Sequence, residues 1–149
     1  MKKVFKKVPL EDVYMVYGLY CKEENIELEQ NKIERAKEIY SEILLNKSYT
    51  YACYINDRIV ASVNVYKNMQ YYPTDQNAPF IHLECIMVLK EYQNQGIGTE
   101  LITNAISLVT EEGCTYIIGQ SPNPAMQKVF YKAGLTDQSC KDFRKEVFN

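Results

Sequence analysis

Two glycines stand where a strand-like run gives way to a helix-like one, in Val88-Leu89-Lys90-Glu91-Tyr92-Gln93-Asn94-Gln95-Gly96-Ile97-Gly98-Thr99. A helix start leaves several backbone N–H groups without partners and carries partial positive charge. Glycine lets the main chain approach an anion closely and adopt conformations a Cβ forbids. The pattern therefore predicts a main-chain cradle for a phosphate or pyrophosphate. Such a cradle needs no side-chain charge, consistent with a loop poor in Lys and Arg. A tight turn that merely starts a helix would use the same two glycines. Two other phosphate loops are excluded: there is no G-x-x-x-x-G-K-[ST], and Leu101 stands where G-x-G-x-x-G needs its third glycine.

Upstream, His82 and Glu84 lie two apart in the apolar run 80–89. In a strand they share a face with Phe80 unless a bulge intervenes. A carboxylate inside so apolar a strand needs a partner or a task; a salt bridge to a neighbouring strand is the structural alternative for Glu84, and a hydrogen-bonded structural role the alternative for His82. His82 is the only histidine, which excludes a histidine-rich metal site and leaves a Cys/His pair only through His82. The five cysteines, Cys21, Cys53, Cys85, Cys114 and Cys140, include no C-x-x-C spacing. Cys85 and Cys114 are expected to be small core residues, and no metal is expected.

These residues need elements to hold them. Val4, Phe5 and Val8 predict a first strand ending at Pro9, and Val13, Val16, Tyr17 and Tyr20 a helix over 11–20, followed by an acidic loop over 22–30. Ile33, Ala36, Ile39, Tyr40, Ile43 and Leu44 form one apolar face of a second helix, 31–45. The period then falls to two: Tyr49, Tyr51, Cys53 and Ile55 alternate, Asn56-Asp57-Arg58 turns the chain, and Ile59, Ala61, Val63 and Val65 return as a hairpin. A polar, Tyr-rich loop spans 67–79 and is long enough to be functional. A strand over 80–89, a helix through Leu101–Val109 closed by Gly113, a short buried strand over 115–118 and a helix after Asn123-Pro124 follow. Met126, Val129, Phe130 and Ala133 make the inner face of that last helix, Gly134 ends it, and 143–148 can form a final strand. The order β-α-α-β-β-β-α-β-α-β predicts a mixed α/β sandwich, antiparallel at its hairpin and able to be parallel across the later crossover.

The chain has 149 residues, with 46% hydrophobic and 24% charged residues and a formal net charge of −2. One domain over 1–149 is the simplest expectation, since no repeat or Gly/Pro/Ser-rich linker divides it. The balance lacks the basic excess of a nucleic-acid binder, although Lys2, Lys3, Lys6 and Lys7 cluster beside the first strand. With no apolar run of about 18 residues and no apolar leader, neither membrane nor export is expected, and the chain is expected to be cytoplasmic. Most of the 13 tyrosines are expected to be amphipathic packing residues.

The run Gln93-Asn94-Gln95-Gly96-Ile97-Gly98 resembles the Q/R-x-x-G-x-G/A signature of the GNAT superfamily of N-acetyltransferases, with Val88 and Tyr92 preceding it as they commonly do there. Val129-Phe130-Tyr131-Lys132-Ala133-Gly134-Leu135 follows at the expected distance and resembles that family's Y-x-x-G-F element. The resemblance is strong from 80 to 135 and weak before 48. It implies a GNAT-like fold, with a central, mostly antiparallel sheet, about four helices and two splayed strands that form a coenzyme A slot. It implies acetyl-CoA as donor, with pyrophosphate on the amides of Gln95, Gly96, Ile97, Gly98 and Thr99, Gln93 and Asn94 flanking, and pantetheine pairing along Ile86, Met87 and Val88. Asn123 is a further candidate for the arm, although the family's Asn, seven residues before the tyrosine, corresponds to Pro124.

The same resemblance implies that an amine attacks the thioester directly and that Tyr131 donates a proton to the leaving sulfur. Glu84 is the candidate for binding or deprotonating the amine, directly or through water, and some relatives use a backbone carbonyl instead. The segment His82-Leu83-Glu84-Cys85-Ile86 is also similar to that of glucosamine-phosphate N-acetyltransferases, with Cys85 where they carry Asp. Tyr66, Tyr71, Tyr72, Phe80 and His82 are expected to wall the acceptor site, with Asp75 and the acidic residues 23–29 attracting a cation. The expected acceptor is a small primary amine. A peptide amine, or a module that binds acyl-CoA without turnover, is the alternative. Many relatives dimerise, so a homodimer is possible.

Overall fold

Period-two alternation sets the sheet, and a computed structural model describes it through residues 1–67, 80–114, 116–121, 123–137 and 142–146. The strands are β1 (Lys3–Lys7), β2 (Tyr49–Ile55), β3 (Arg58–Lys67), β4 (Phe80–Val88), β5 (Tyr116–Gln120), β6 (Thr136–Asp137) and β7 (Asp142–Glu146). They form a seven-stranded sheet in the order β1-β2-β3-β4-β5-β7-β6. Every neighbouring pair is antiparallel except β4 with β5. The hairpin turns on Asn56 and Asp57, both at positive φ (51° and 62°), the two-residue geometry whose twist matches paired strands.

The helices are α1 (Val13–Glu24), α2 (Gln30–Leu45), α3 (Ile97–Glu111) and α4 (Pro124–Lys132). The structure extends α1 four residues past its expected end, to a stop at Asn25 in the left-handed region, so the acidic loop is correspondingly shorter. β6 is an element the sequence did not suggest; two residues are too few to show a period.

β2 is buried along its whole length because helices cover both faces of the sheet. Tyr49, Tyr51, Cys53 and Ile55 pack with Val63, Val65, Leu83, Leu101 and Phe130 beneath α3 and α4. Ala52 and Tyr54 pack with Val13, Leu19 and Tyr40 beneath α1 and α2. Tyr40 also ties the second layer to the sheet: its hydroxyl donates to Val8 O at 2.6 Å and accepts from Thr50 N at 3.1 Å. No helix among the described residues is long and apolar enough to cross a membrane.

One feature of the sheet positions the site. The parallel pairing runs from Phe80↔Tyr116 to Glu84↔Gln120 and ends there. The next residue, Cys85, has φ 56°, and β4 bulges: two steps of β3, Ser62 to Asn64, span three of β4, Met87 to Glu84. Beyond the bulge β4 pairs only with β3 among the described residues, while the chain after Gln120 turns towards α4. The two strands thus part between the starts of α3 and α4.

Candidate functional site

The loop after β4 is built to expose backbone donors. Residues 90–92 make one 3-10 turn, and Asn94 (φ 61°) and Gly96 (φ 81°) take left-handed conformations on either side of Gln95. Gln93 Nε2 donates to Val88 O at 2.9 Å, and Gln95 Nε2 donates to Glu91 O at 3.0 Å. These two amides brace the loop. The first bond of the α3 ladder runs from Glu100 N to Gly96 O, 3.0 Å, so the N–H groups of Ile97, Gly98 and Thr99 lie ahead of the ladder at the positive end of the helix. Glu100, an acidic neighbour in that first turn, is paired with Lys3 at 2.6 Å.

The two glycines do different work. A Cβ on Gly96 would meet nothing within 4 Å, but its φ of 81° is one that side chains resist. The backbone there faces open space. A Cβ on Gly98 would lie 3.4 Å from Val129 Cγ2 and 3.5 Å from Val88 Cγ2. At Gly98 a Cβ would make ordinary contacts with α4 and β4, so the position does not demand glycine for space, while Gly96 shapes the cradle.

Across the sheet from α3, β4 presents His82 and Glu84 together, as their spacing predicts. His82 Nδ1 lies 3.2 Å from Glu84 Oε2; His82 is buried and Glu84 half-buried. Tyr66 pairs with His82, and Asn64 with Glu84, in the register of β3 and β4. Thr50 Oγ1 donates to Asn64 Oδ1 (2.9 Å) and Asn64 Nδ2 donates to the Tyr66 hydroxyl (3.1 Å), so a hydrogen-bonded polar row links β2 to β3 beside Glu84 and His82 of β4. Burial, then the charge of Glu84 and the Cys85 thiol, push the Tyr66 phenol up to about 12. Asn64 and Thr50 were not singled out in the sequence, although their parity with Tyr66 in the hairpin places them on that face.

Cys85 corrects an expectation. It is exposed on the bulge and is not a core residue, because the extra residue of a bulge has no slot in the ladder. Its thiol is held above the ordinary value by burial of the sulfur's surroundings and by Glu84 and Glu23, which disfavours a thiolate nucleophile. Cys114 is buried, as expected. Beside the bulge lies a cavity of 390 Å³, lined by Leu19 and Glu23 of α1, by Met87 and Leu89, and by Gln93 of the loop. Burial and neighbouring Glu24 raise the Glu23 carboxyl.

Asn123 caps α4: its side-chain oxygen accepts from Ala125 N at 2.9 Å, and Pro124 takes the first helical position. On the same helix Val129 faces Gly98 and Phe130 is fully buried, whereas Tyr131 is 66% exposed. Ile86 is buried beneath α3, and Met87 and Val88 are half-buried along the opened edge of β4. Phe80 opens β4 opposite Tyr116. Tyr71, Tyr72 and Asp75 lie outside the described residues. Among the described residues no group of three His, Cys, Asp or Glu side chains is arranged to hold a metal ion.

The model of the Acetyltransferase (GNAT) family matches residues 13–135. No curated protein is significantly similar to the chain. Solved structures share its fold along nearly its whole length. An N-acetyltransferase from Staphylococcus aureus Mu50 superposes with a TM-score of 0.75 at 12% identity, over 98% of this chain and 99% of that one. The yncA protein of Salmonella typhimurium, solved with its cofactor acetyl-CoA, gives 0.74 at 11% identity over 98% and 94%. A transcriptional regulator from Bacillus halodurans C-125 gives 0.78 at 17% identity over 93% and 95%. At these identities the likeness is one of fold.

Proposed function

The chain belongs to the GNAT acetyltransferase family, and on that premise we propose that it moves an acetyl group from acetyl-CoA to the primary amine of a small molecule. The whole chain, 1–149, acts as a single catalytic domain. The observation that carries the reading is the meeting of two features: the parting of β4 from β5 after Glu84↔Gln120, and the α3 N-terminus standing at the mouth of that gap. The gap suits a narrow extended chain, and the helix start suits its charged end.

In this reading the N–H groups of Gln95, Gly96, Ile97, Gly98 and Thr99 hold the pyrophosphate. Gln93 and Asn94 fix the loop's shape. The pantetheine arm lies along Ile86, Met87 and Val88 as an added strand, using the edge that β5 leaves. Asn123 has its oxygen committed to the cap and its amide N–H groups left to donate across the mouth.

The acceptor amine approaches from the α1–α2 face, where Glu84 holds its ammonium and takes a proton. Tyr66 and His82 form the wall beside it, and Glu23 borders the adjoining cavity. That cavity, 390 Å³, is lined by Met87, Val88 and Gln93 as well as by Glu23, so it lies where the donor's arm and the acceptor would meet. Cys21, Cys53, Cys85 and Cys114 are free thiols, in keeping with a reducing cytoplasmic setting.

Titration calorimetry with acetyl-CoA, joined to a thiol-release assay over a panel of primary amines, tests the proposal. Heat of binding with thiol release on at least one amine is expected. An absence of binding heat removes acetyl-CoA as donor, and tight binding without turnover on any amine makes the chain a binding module.

A further inference from the structure

Helix phase decides which α4 side chain meets the gap. Val129 contacts the α3 N-terminus, at 3.4 Å from the Cβ position of Gly98. Tyr131, two residues on, lies about 200° further round the helix and is 66% exposed. Phe130, between them, is fully buried, and its Cδ1 would sit 2.8 Å from a Cβ on Gly119. Gly119 pairs with Leu83, one step before the last β4–β5 pair, Glu84↔Gln120. Phe130 is therefore the α4 residue packed where the strands begin to part, and its ring has no proton to give. The missing Cβ of Gly119 makes room for that ring.

We infer that α4 presents Phe130 to the head of the gap and no phenol, so that transfer here proceeds without a general acid from this helix. The inference rests on the donor site proposed above. The amine nitrogen bonds to the carbonyl carbon, the C–S bond breaks with its electron pair passing to sulfur, and the surplus proton on nitrogen goes to Glu84 and on to water. The sulfur leaves as a thiolate, which a thiol pKa of about 8.5 allows, and takes its proton from water afterwards.

The test uses the full chain in two arms. In the first, tyrosines are nitrated with tetranitromethane, with and without saturating coenzyme A, and Tyr131 is followed by peptide mass mapping. Equal nitration is expected, and protection of Tyr131 by coenzyme A overturns the inference. In the second, Tyr131→Phe is assayed with acetyl-CoA and the amine that the wild-type chain turns over best. A kcat within about two-fold of wild type is expected; a fall on the order of 10²-fold with unchanged coenzyme affinity, the size of a lost general acid, overturns it. Phe130→Tyr supplies a third reading where it folds, by adding a limb near the phenol's pKa to the pH–rate profile. Failure of the donor-site reading is separate, because it appears as an absence of coenzyme binding by the wild-type chain.

Discussion

The Glu84 carboxylate lies 3.2 Å from His82 Nδ1, and both side chains occupy the face of β4 that α1 and α2 cover. Replacing Glu84 by Gln keeps the shape and removes the base. Glu84→Gln is expected to lower kcat by about 10²- to 10⁴-fold, the range of a lost general base, while calorimetry finds acetyl-CoA affinity unchanged. An unaltered kcat would return Glu84 to a structural partner of His82.

Gly96 and Gly98 are expected to respond oppositely to alanine. At Gly96 the side chain has room but φ is 81°, so Gly96→Ala strains the loop by about 1–2 kcal/mol. Its effect falls on the donor amides, and weaker acetyl-CoA binding with a small change in urea midpoint is expected. At Gly98 the added methyl meets Val129 and Val88 only at ordinary contact distance and the backbone is helical, so Gly98→Ala is expected to leave the urea midpoint unchanged or to raise stability by up to about 1 kcal/mol. Normal coenzyme affinity in Gly96→Ala would contradict the cradle.

Cys85 offers a control on chemistry. Its φ of 56° suits glycine better than cysteine, and its raised thiol pKa argues against a nucleophile. Cys85→Gly is expected to retain kcat and to be no less stable. Intact mass spectrometry after incubation with acetyl-CoA alone is expected to find no acetyl group on the wild-type chain; a stoichiometric acetyl adduct at Cys85 would replace direct attack with an acyl-enzyme route.

Glu112 predicts how stability depends on pH. Burial works against its charge, but hydrogen bonds from Tyr49 (2.9 Å), Lys7 (3.1 Å) and Lys67 (3.2 Å) outweigh it and hold the carboxyl below its ordinary 4.5. A depressed folded pKa means that the unfolded chain takes up the proton first as pH falls. The stabilisation is therefore present above pH 4.5 and lost as pH drops through the folded value. Urea midpoints measured downward from pH 6 should fall less steeply for Glu112→Gln than for the wild-type chain.

Much of this architecture was legible in residue order. Alternation at Tyr49, Tyr51, Cys53 and Ile55, and again at Ile59 to Val65, gave the hairpin, and helical spacing gave the faces of α2, α3 and α4. The Asn123-Pro124 pair correctly announced a capped helix. Matching a motif by residue type is a different operation from reading helix phase. Met126, Val129, Phe130 and Ala133 as an inner face leave Tyr131 outside, whereas the motif marks Tyr131 as the proton donor, and the two readings part at this residue. The exposure of Cys85 could not be read in advance, since bulges arise from the partner strand's register and leave no local pattern. Two-residue β6 is below the length at which any period exists.

The extra residue at Cys85 resets the strand's parity. Before it, even-numbered side chains (His82, Glu84) look towards α1 and α2; after it, odd-numbered ones (Met87, Leu89) do. Were the strand to run regularly with that residue kept in line, everything downstream would turn over, throwing Ile86 and Val88 out of the α3 layer and dragging Met87 into it; the bulge absorbs the residue and prevents this. An exposed cysteine thus acts as the phase marker between a polar half-strand and an apolar one.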